Sequence, residues 1–191
     1  KSKIMKFPLL IIAFILSYTT TINSQKINQE VHIENQQPFL LGKITPEALS
    51  ANTYKTWYLP NFSNYKADTE KIKLIKKHLN AYKILIFMGT WCGDSKREVP
   101  RFLKILEQAE YPNENLTIIA LDKRKEAYKK SPQGEEWGLN IRRVPTFIFY
   151  KNGREINRII ETPITSLEDD ILKIVSQQVY LPKYGTSLHF D

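Results

Sequence analysis

The sequence predicts an α/β fold, a sandwich in which helices flank a mixed central sheet. The apolar run at residues 84–88 has no polar alternation, which is typical of a central strand covered on both faces. A second apolar run lies at 116–121, after an intervening segment with helical periodicity. A third strand at 146–150 meets an antiparallel partner at 155–160 through an Asn-Gly pair, a strong hairpin signal.

Residues 1–24 are predicted to be a secretory signal peptide. A basic start at Met5-Lys6 precedes an apolar stretch at 7–16 and polar residues that lead to the small Ser24. The apolar stretch is shorter than the roughly 20 residues of a membrane-spanning helix. We therefore expect an exported bacterial protein, periplasmic or secreted. An uncleaved leader is the alternative, and it would be the protein's one link to a membrane.

Residues 25–66 are predicted to form an N-terminal helical extension. The polar stretch 25–39 is a linker or an edge strand, and a proline at the first helical position predicts a helix at 46–58, ended by Pro60. Five aromatic residues in and just after this helix are predicted to form a cluster: Tyr54, Trp57, Tyr58, Phe62 and Tyr65. It is interpreted as packing against the domain core, with the wall of a substrate groove as the alternative.

The main domain is predicted at residues 67–180. Helical periodicity begins at 69–80 after a capping aspartate and returns at 166–178 near the end of the domain. The polar segment 123–138 is expected to be partly helical. Residues 181–191 contain Pro and Gly and are predicted to be a C-terminal tail.

Charge and composition exclude several kinds of partner. The formal net charge is +8, and three of these charges lie in the predicted leader, which leaves +5. This is a moderately basic surface, and no motif for binding nucleic acid accompanies it. A single cysteine excludes an intrachain disulfide and a Cys-rich metal site. We expect no metal and no other cofactor, because the histidines are scattered without ligand spacing: His32, His78 and His189.

Cys92, the one cysteine, is the candidate nucleophile. It lies where the apolar strand passes into a helix whose apolar face is Val99, Phe102, Leu103 and Leu106. A helix N-terminus presents unpaired N–H groups and the positive end of the helix dipole. Both favour a thiolate over a thiol, so a cysteine there is expected to be nucleophilic. The alternative is an inert buried cysteine.

The motif at residues 91–93, Trp-Cys-Gly after a buried strand, resembles the thioredoxin family. Val-Pro-Thr-Phe at 144–147 strengthens the resemblance, which covers 83–176, about half of the chain. It implies a thioredoxin-like three-layer sandwich and thiol–disulfide exchange. Two positions depart from the family. Ser95 replaces the second cysteine of Cys-x-x-Cys, and Ile86 stands where thioredoxins usually carry a buried acid.

The resemblance also implies roles for the residues around the thiol. Trp91 would shield the sulfur and contact the client, and Gly93 would allow a close backbone approach. Pro145 would be cis and face the active cysteine, since proline is nearly the one residue for which cis is cheap. That geometry would expose the backbone of Val144, to which an extended client segment could pair like an added strand.

Other neighbours are expected to tune the thiolate. Asp94 replaces the family's usual proline, and its negative charge opposes ionisation of Cys92. The cations nearby favour it: Lys96, Arg97, Arg142 and Arg143. Ser95 lies one helical turn after Cys92, and its hydroxyl could donate a hydrogen bond to the thiolate. The alternative is that Ser95 only fills the place of a lost cysteine.

Three functions fit these residues. The first is monothiol exchange, in which Cys92 forms a mixed disulfide with protein clients that carry disulfides or thiols. An external thiol reductant or the client's own second cysteine then releases Cys92 from the mixed disulfide. This is reductase or isomerase chemistry. The second is a redox-inactive binding module that holds exported clients in the groove at Pro145. The third, one-cysteine peroxide reduction, is disfavoured because the chain has no Pro-x-x-x-Thr-x-x-Cys run.

Overall fold

The computed structural model describes residues 26–185. The predicted signal peptide, 1–24, and the end of the predicted tail, 186–191, lie outside this range. Within it, none of the helices combines the length and the apolar character needed to cross a membrane.

In the part of the chain that the structure describes, a six-stranded mixed sheet forms the centre of the fold, in the order β1-β2-β4-β3-β5-β6. The strands are β1 Gln29–Val31, β2 Phe39–Ile44, β3 Lys83–Met88, β4 Leu116–Ala120, β5 Thr146–Lys151 and β6 Arg154–Ile160. β3 and β4 are parallel, and every other neighbouring pair is antiparallel. The predicted α/β fold with a mixed sheet is confirmed. Strands β1 and β2 come from the stretch predicted as an extension, and β2 joins the main sheet through β4.

Among residues 26–185, five α-helices accompany the sheet: α1 Pro46–Leu49, α2 Lys55–Ser63, α3 Thr69–Leu79, α4 Gly93–Gln108 and α5 Leu167–Val175. The Asp68 carboxylate accepts hydrogen bonds from the N–H groups of Glu70 and Lys71, which confirms the predicted cap of α3. The hairpin between β5 and β6 is also confirmed. Asn152 and Gly153 both have positive φ, 53° and 77°, as a two-residue turn of this kind requires.

The prediction of one continuous helix at 46–58 is wrong. α1 ends after a single turn, and Ala51 is extended, with φ −101° and ψ 163°. The Ser50 hydroxyl donates to the Glu47 carbonyl at 2.9 Å, a local bond that competes with continued helix. Pro60 does not end the following helix either. It lies inside α2, and the last turn closes when the Asn64 N–H donates to the Pro60 carbonyl at 3.1 Å.

The helices share one face of the sheet. Their buried apolar residues form a single core with alternate residues of β3, which are Ile84, Ile86 and Met88. Phe87 points to the opposite face and belongs to a smaller apolar cluster with Ile119 and Ile148. Apolar residues of the irregular segment 122–143 pack on that cluster. Both faces of β3 are therefore covered, as its uninterrupted apolar run predicts.

The segment 122–143 contains much less helix than expected. Its one helical piece is a 3-10 turn at Lys125–Ala127. Gly134 and Gly138 have positive φ values of 72° and 75°, a conformation that breaks a right-handed helix.

The aromatic cluster of α2 packs in the core, which confirms the first interpretation. Tyr54 and Tyr58 are buried, and Trp57, Phe62 and Tyr65 pack against the same core. The rings of Tyr58 and Phe62 stack with their centroids 5.3 Å apart. These aromatic residues therefore hold α2 in the molecule and do not line an open groove.

Candidate active site

Cys92 occupies the junction between β3 and α4. It is the N-cap of α4, with extended backbone angles of φ −90° and ψ 130°. Its N–H donates to the Gly89 carbonyl at 2.9 Å, and its carbonyl accepts from the Lys96 N–H at 3.0 Å. The thiol is half-buried and has no disulfide partner. The sequence motif thus places the sulfur at the positive end of a four-turn helix.

Two contacts fix the turn that carries the thiol. The Thr90 hydroxyl is buried and accepts a hydrogen bond from the Leu40 N–H at 3.0 Å, which ties the turn to β2. Gly89 lies directly under the Trp91 indole, and a Cβ at this position would be 2.6 Å from Cε2 of that ring. Glycine is therefore required at position 89 for the observed place of the indole.

Ser95 has a different contact from the one expected. Its side chain is fully buried, and its hydroxyl oxygen accepts from the Gly89 N–H at 3.2 Å. Within residues 26–185 no hydrogen bond joins this hydroxyl to the Cys92 sulfur. The serine thus braces the turn before the thiol. The sequence could not reveal this bond, because it depends on the fold of the turn.

Trp91 is held on two sides. Its indole N–H donates to the Leu121 carbonyl at 2.9 Å, and its ring lies 5.4 Å from the ring of Tyr128. The indole also packs in the smaller apolar cluster together with Cys92. This position, beside the sulfur and half-buried, agrees with a shielding role. Tyr128 was missed from the sequence, because it stands among lysines in a stretch with no periodic signal.

The second segment of the site is the loop before β5. The Val144–Pro145 peptide bond is cis, and both residues are buried. The Cys92 thiol donates to the Val144 carbonyl with the sulfur 3.2 Å from the oxygen. In the described residues no backbone hydrogen bond uses the Val144 N–H. Two segments that lie 52 residues apart therefore meet at the sulfur.

Gly93 leaves an open approach to the thiol. It is exposed, and a Cβ built on it would have no neighbouring atom within 4 Å. A client backbone could therefore approach the first turn of α4 closely from this side.

Two of the four cations expected to favour the thiolate, Arg97 and Arg143, are engaged in ion pairs. Arg97 donates to Asp94 and to the buried Glu98, each at 2.6 Å, and the bond to Glu98 chiefly raises the pKa of the Arg97 guanidinium further. Asp94 is thereby partly neutralised as well. On the other side of the site, Arg143 pairs with Glu161 at 3.0 Å. These ion pairs weaken the expected effect of Arg97 and Arg143 on the thiol, whereas the positive end of α4 lies directly at the sulfur.

Comparison with known proteins agrees with this geometry. The family model described as Thioredoxin matches residues 45–170. The chain belongs to the thioredoxin family. A thioredoxin of Coprinus comatus is 33% identical over 99 residues, which are 51% of this chain and 86% of that protein. Thioredoxin Asp f 29 of Aspergillus fumigatus is 29% identical over 80 residues, 42% of this chain and 66% of that protein.

A solved thioredoxin structure also aligns with the chain. Oxidised mitochondrial thioredoxin 3 of Saccharomyces cerevisiae gives a TM-score of 0.34 at 22% identity, over 61% of this chain and 98% of that one. Membership of the thioredoxin family supports a thiol–disulfide redox function in general. In the part of the chain that the structure describes, no cluster of three or more His, Cys, Asp or Glu residues could hold a metal ion.

Proposed function

We propose that this member of the thioredoxin family exchanges disulfides through Cys92 as a single thiol. Its clients are proteins that carry disulfides or thiols, and an external thiol acts as reductant. The observation that carries the proposal is the meeting of the half-buried sulfur, the N-terminus of α4 and the Val144–Pro145 loop. The thiol is reachable there and lies against backbone that can hold a client.

The exchange has two steps that balance in electrons. The Cys92 thiolate attacks one sulfur of a client disulfide. A new S–S bond forms, the client S–S bond breaks, and the second client sulfur leaves as a thiolate. If a different client thiol then attacks the client sulfur of the mixed disulfide, Cys92 is released as a thiolate and the client is isomerised without net reduction. If outside thiols attack, two of them supply the two electrons and leave as a disulfide.

Client docking is coupled to ionisation of the thiol. The bond from the Cys92 thiol to the Val144 carbonyl exists only while the sulfur is protonated. An extended client segment that pairs with the Val144 backbone takes over this carbonyl as its acceptor. The sulfur then faces the first N–H groups of α4, which stabilise a negative charge. The client itself thus promotes the reactive form.

The test compares wild type with Cys92→Ser. Both are incubated with a disulfide-bonded peptide, and the adducts are measured by mass spectrometry. We expect one adduct per chain for wild type, released by excess glutathione, and none for the variant. No adduct of wild type with the peptide would refute the proposal.

A redox-inactive binding module is the second candidate. It is favoured by the engagement of the thiol with the Val144 carbonyl and by Ser95 at the place of the second cysteine. Cys92→Ala separates the two functions. Client affinity that is unchanged in this variant, with no exchange in wild type, would support the module.

Export is a separate part of the proposal, and it is supported by the basic start and the apolar stretch within residues 1–24. We propose that the protein acts outside the bacterial cytoplasm. Residues 1–30 fused to an enzyme that is active only after export should give active enzyme, and replacement of the apolar stretch by polar residues should abolish this. Activity retained inside the cell alone would contradict export.

A further inference from the structure

The segment 122–143 forms a wall beside the thiol. The Tyr128 ring contacts the Trp91 ring at an interplanar angle of 37°, and Tyr128 is about half exposed, at 51%. The Lys129 ammonium lies 5.1 Å from the centroid of the Tyr128 ring and also donates to the Arg142 carbonyl. Arg142 precedes the loop at Val144 by two residues. A chain of direct contacts therefore runs from Trp91 across this wall to the second segment of the site.

Backbone hydrogen bonds fix the shape of the part of this wall that carries Tyr128. The N–H of Asp122 donates to the Lys130 carbonyl and the N–H of Lys129 donates to the Asp122 carbonyl, each at 2.9 Å, so these residues close a loop. The Asp122 carboxylate is buried and pairs with Arg124 at 2.5 Å. Tyr128 and its neighbours are thus presented from a hydrogen-bonded loop next to the thiol.

The exposed charges of this wall are mostly positive. Five of the eight residues from 123 to 130 are Lys or Arg, and one is Glu. Lys125 is exposed and has no acidic partner among the described residues. Arg142 is exposed as well, and its Nε donates to the neutral Asn140. The nearby carboxylates of Asp122 and Glu161 are already paired with arginines. The exposed Glu126 offsets one of the five positive charges at residues 123–130, so a net positive charge remains on this loop.

We propose that this surface, the basic rim formed by Tyr128, Lys125, Lys129 and Arg142, selects clients with acidic residues beside their disulfide. The inference rests on the proposed exchange at Cys92 and adds the class of substrate. Acidic side chains on an extended client pair with the cations of the rim, while the rings of Trp91 and Tyr128 pack against its apolar atoms. Exposed ion pairs of this kind change a rate or an affinity by a factor of about 1.4 to 5 each.

The experiment uses two disulfide-bonded peptides that differ in two residues beside the cystine, Glu in one and Lys in the other. The full chain is mixed with each, and the second-order rate of adduct formation is measured. We expect the acidic peptide to react roughly tenfold faster at low salt, since its two glutamates form two pairs with the rim. At 1 M salt the difference should nearly vanish, because the Debye length falls to about 3 Å.

Two double variants with the same change in net charge give the control. Lys125→Glu with Arg142→Glu reverses the rim, and it should invert the preference. Lys77→Glu with Lys83→Glu reverses two exposed cations at the opposite end of the sheet. Lys83 begins β3 and lies about 17 Å from the end of that strand. This second variant should keep most of the wild-type preference.

The outcomes separate this inference from the proposed function. Equal rates for both peptides, or equal effects of the two double variants, would overturn the basic rim and leave exchange at Cys92 intact. If neither peptide reacts, binding of matched peptides with Ser in place of Cys is measured by isothermal titration calorimetry with Cys92→Ala. An acidic preference there supports the rim while exchange fails, and equal or absent binding overturns both.

Discussion

Gly89→Ala tests the packing that holds the active-site turn. The added Cβ would lie 2.6, 2.9 and 3.0 Å from three carbon atoms of the Trp91 indole. Carbon atoms need about 3.5 Å or more, so the indole must retreat by nearly 1 Å. Its hydrogen bond to the Leu121 carbonyl is 2.9 Å long and would be lost. That loss costs about 1 kcal/mol, and overpacking adds about 1 to 2 kcal/mol.

We therefore expect the free energy of unfolding of Gly89→Ala to fall by about 2 to 3 kcal/mol. For a chain of this size the melting temperature should fall by roughly 4 to 12 °C. Far-UV circular dichroism during urea and thermal unfolding measures both. Cys92 should also react faster with iodoacetamide, because the displaced indole no longer shields the sulfur.

Gly93→Ala is the matched control, four residues away. A Cβ there meets nothing within 4 Å, and the residue begins α4. Alanine in a helix is favoured over glycine, so stability should stay equal or rise by up to about 1 kcal/mol. Exchange with a peptide should nevertheless slow, because the methyl group fills the open approach. Equal stabilities of Gly89→Ala and wild type, or an equal loss in both variants, would refute this account of the turn.

Three further predictions concern single residues. Ser95→Cys supplies the missing second thiol, so client adducts should resolve without an outside thiol, and adducts that persist in mass spectra would contradict this. Burial raises the pKa of Tyr58 to about 12. Between pH 10 and 12, wild type should therefore lose about 1 to 2 kcal/mol of unfolding free energy relative to Tyr58→Phe, measured in urea. A hydrogen bond from Lys71 lowers the pKa of Asp169. Lys71→Gln should thus be slightly less stable at pH 7, and the difference should vanish as the pH falls through that lowered pKa.

The sequence predicted the elements that carry strong local signals. The apolar run of β3, the Asn-Gly hairpin and the Asp68 cap each depend on residues close in the chain, and each is confirmed. The break between α1 and α2 was not predictable in this way. Tyr54 follows the break, and its hydroxyl bonds to Glu30 of β1 at 2.7 Å, a contact between distant residues. Tertiary contacts of this kind override a helical pattern.

The candidate site likewise contains residues that a local motif predicts and contacts that depend on the fold. Cys92 and Pro145 were recognised because each lies in a short motif, and the structure brings the two motifs together. The hydrogen bond between Ser95 and Gly89 and the ring contact between Tyr128 and Trp91 were not recognised. Both depend on how a turn or an irregular segment folds back, for which the sequence holds no periodic signal.

The layers of the fold separate the reactive group from the residues proposed to select clients. Cys92 is positioned by α4, whose apolar face lies in the large core that all the helices share. The basic rim lies on the irregular segment, and Lys125, Tyr128 and Arg142 are exposed. Substitutions of exposed residues usually change stability by less than about 0.5 kcal/mol, whereas core substitutions cost several times more. Client preference can therefore change through the rim without moving the sulfur, whereas a change in the core of α4 alters stability and reactivity together.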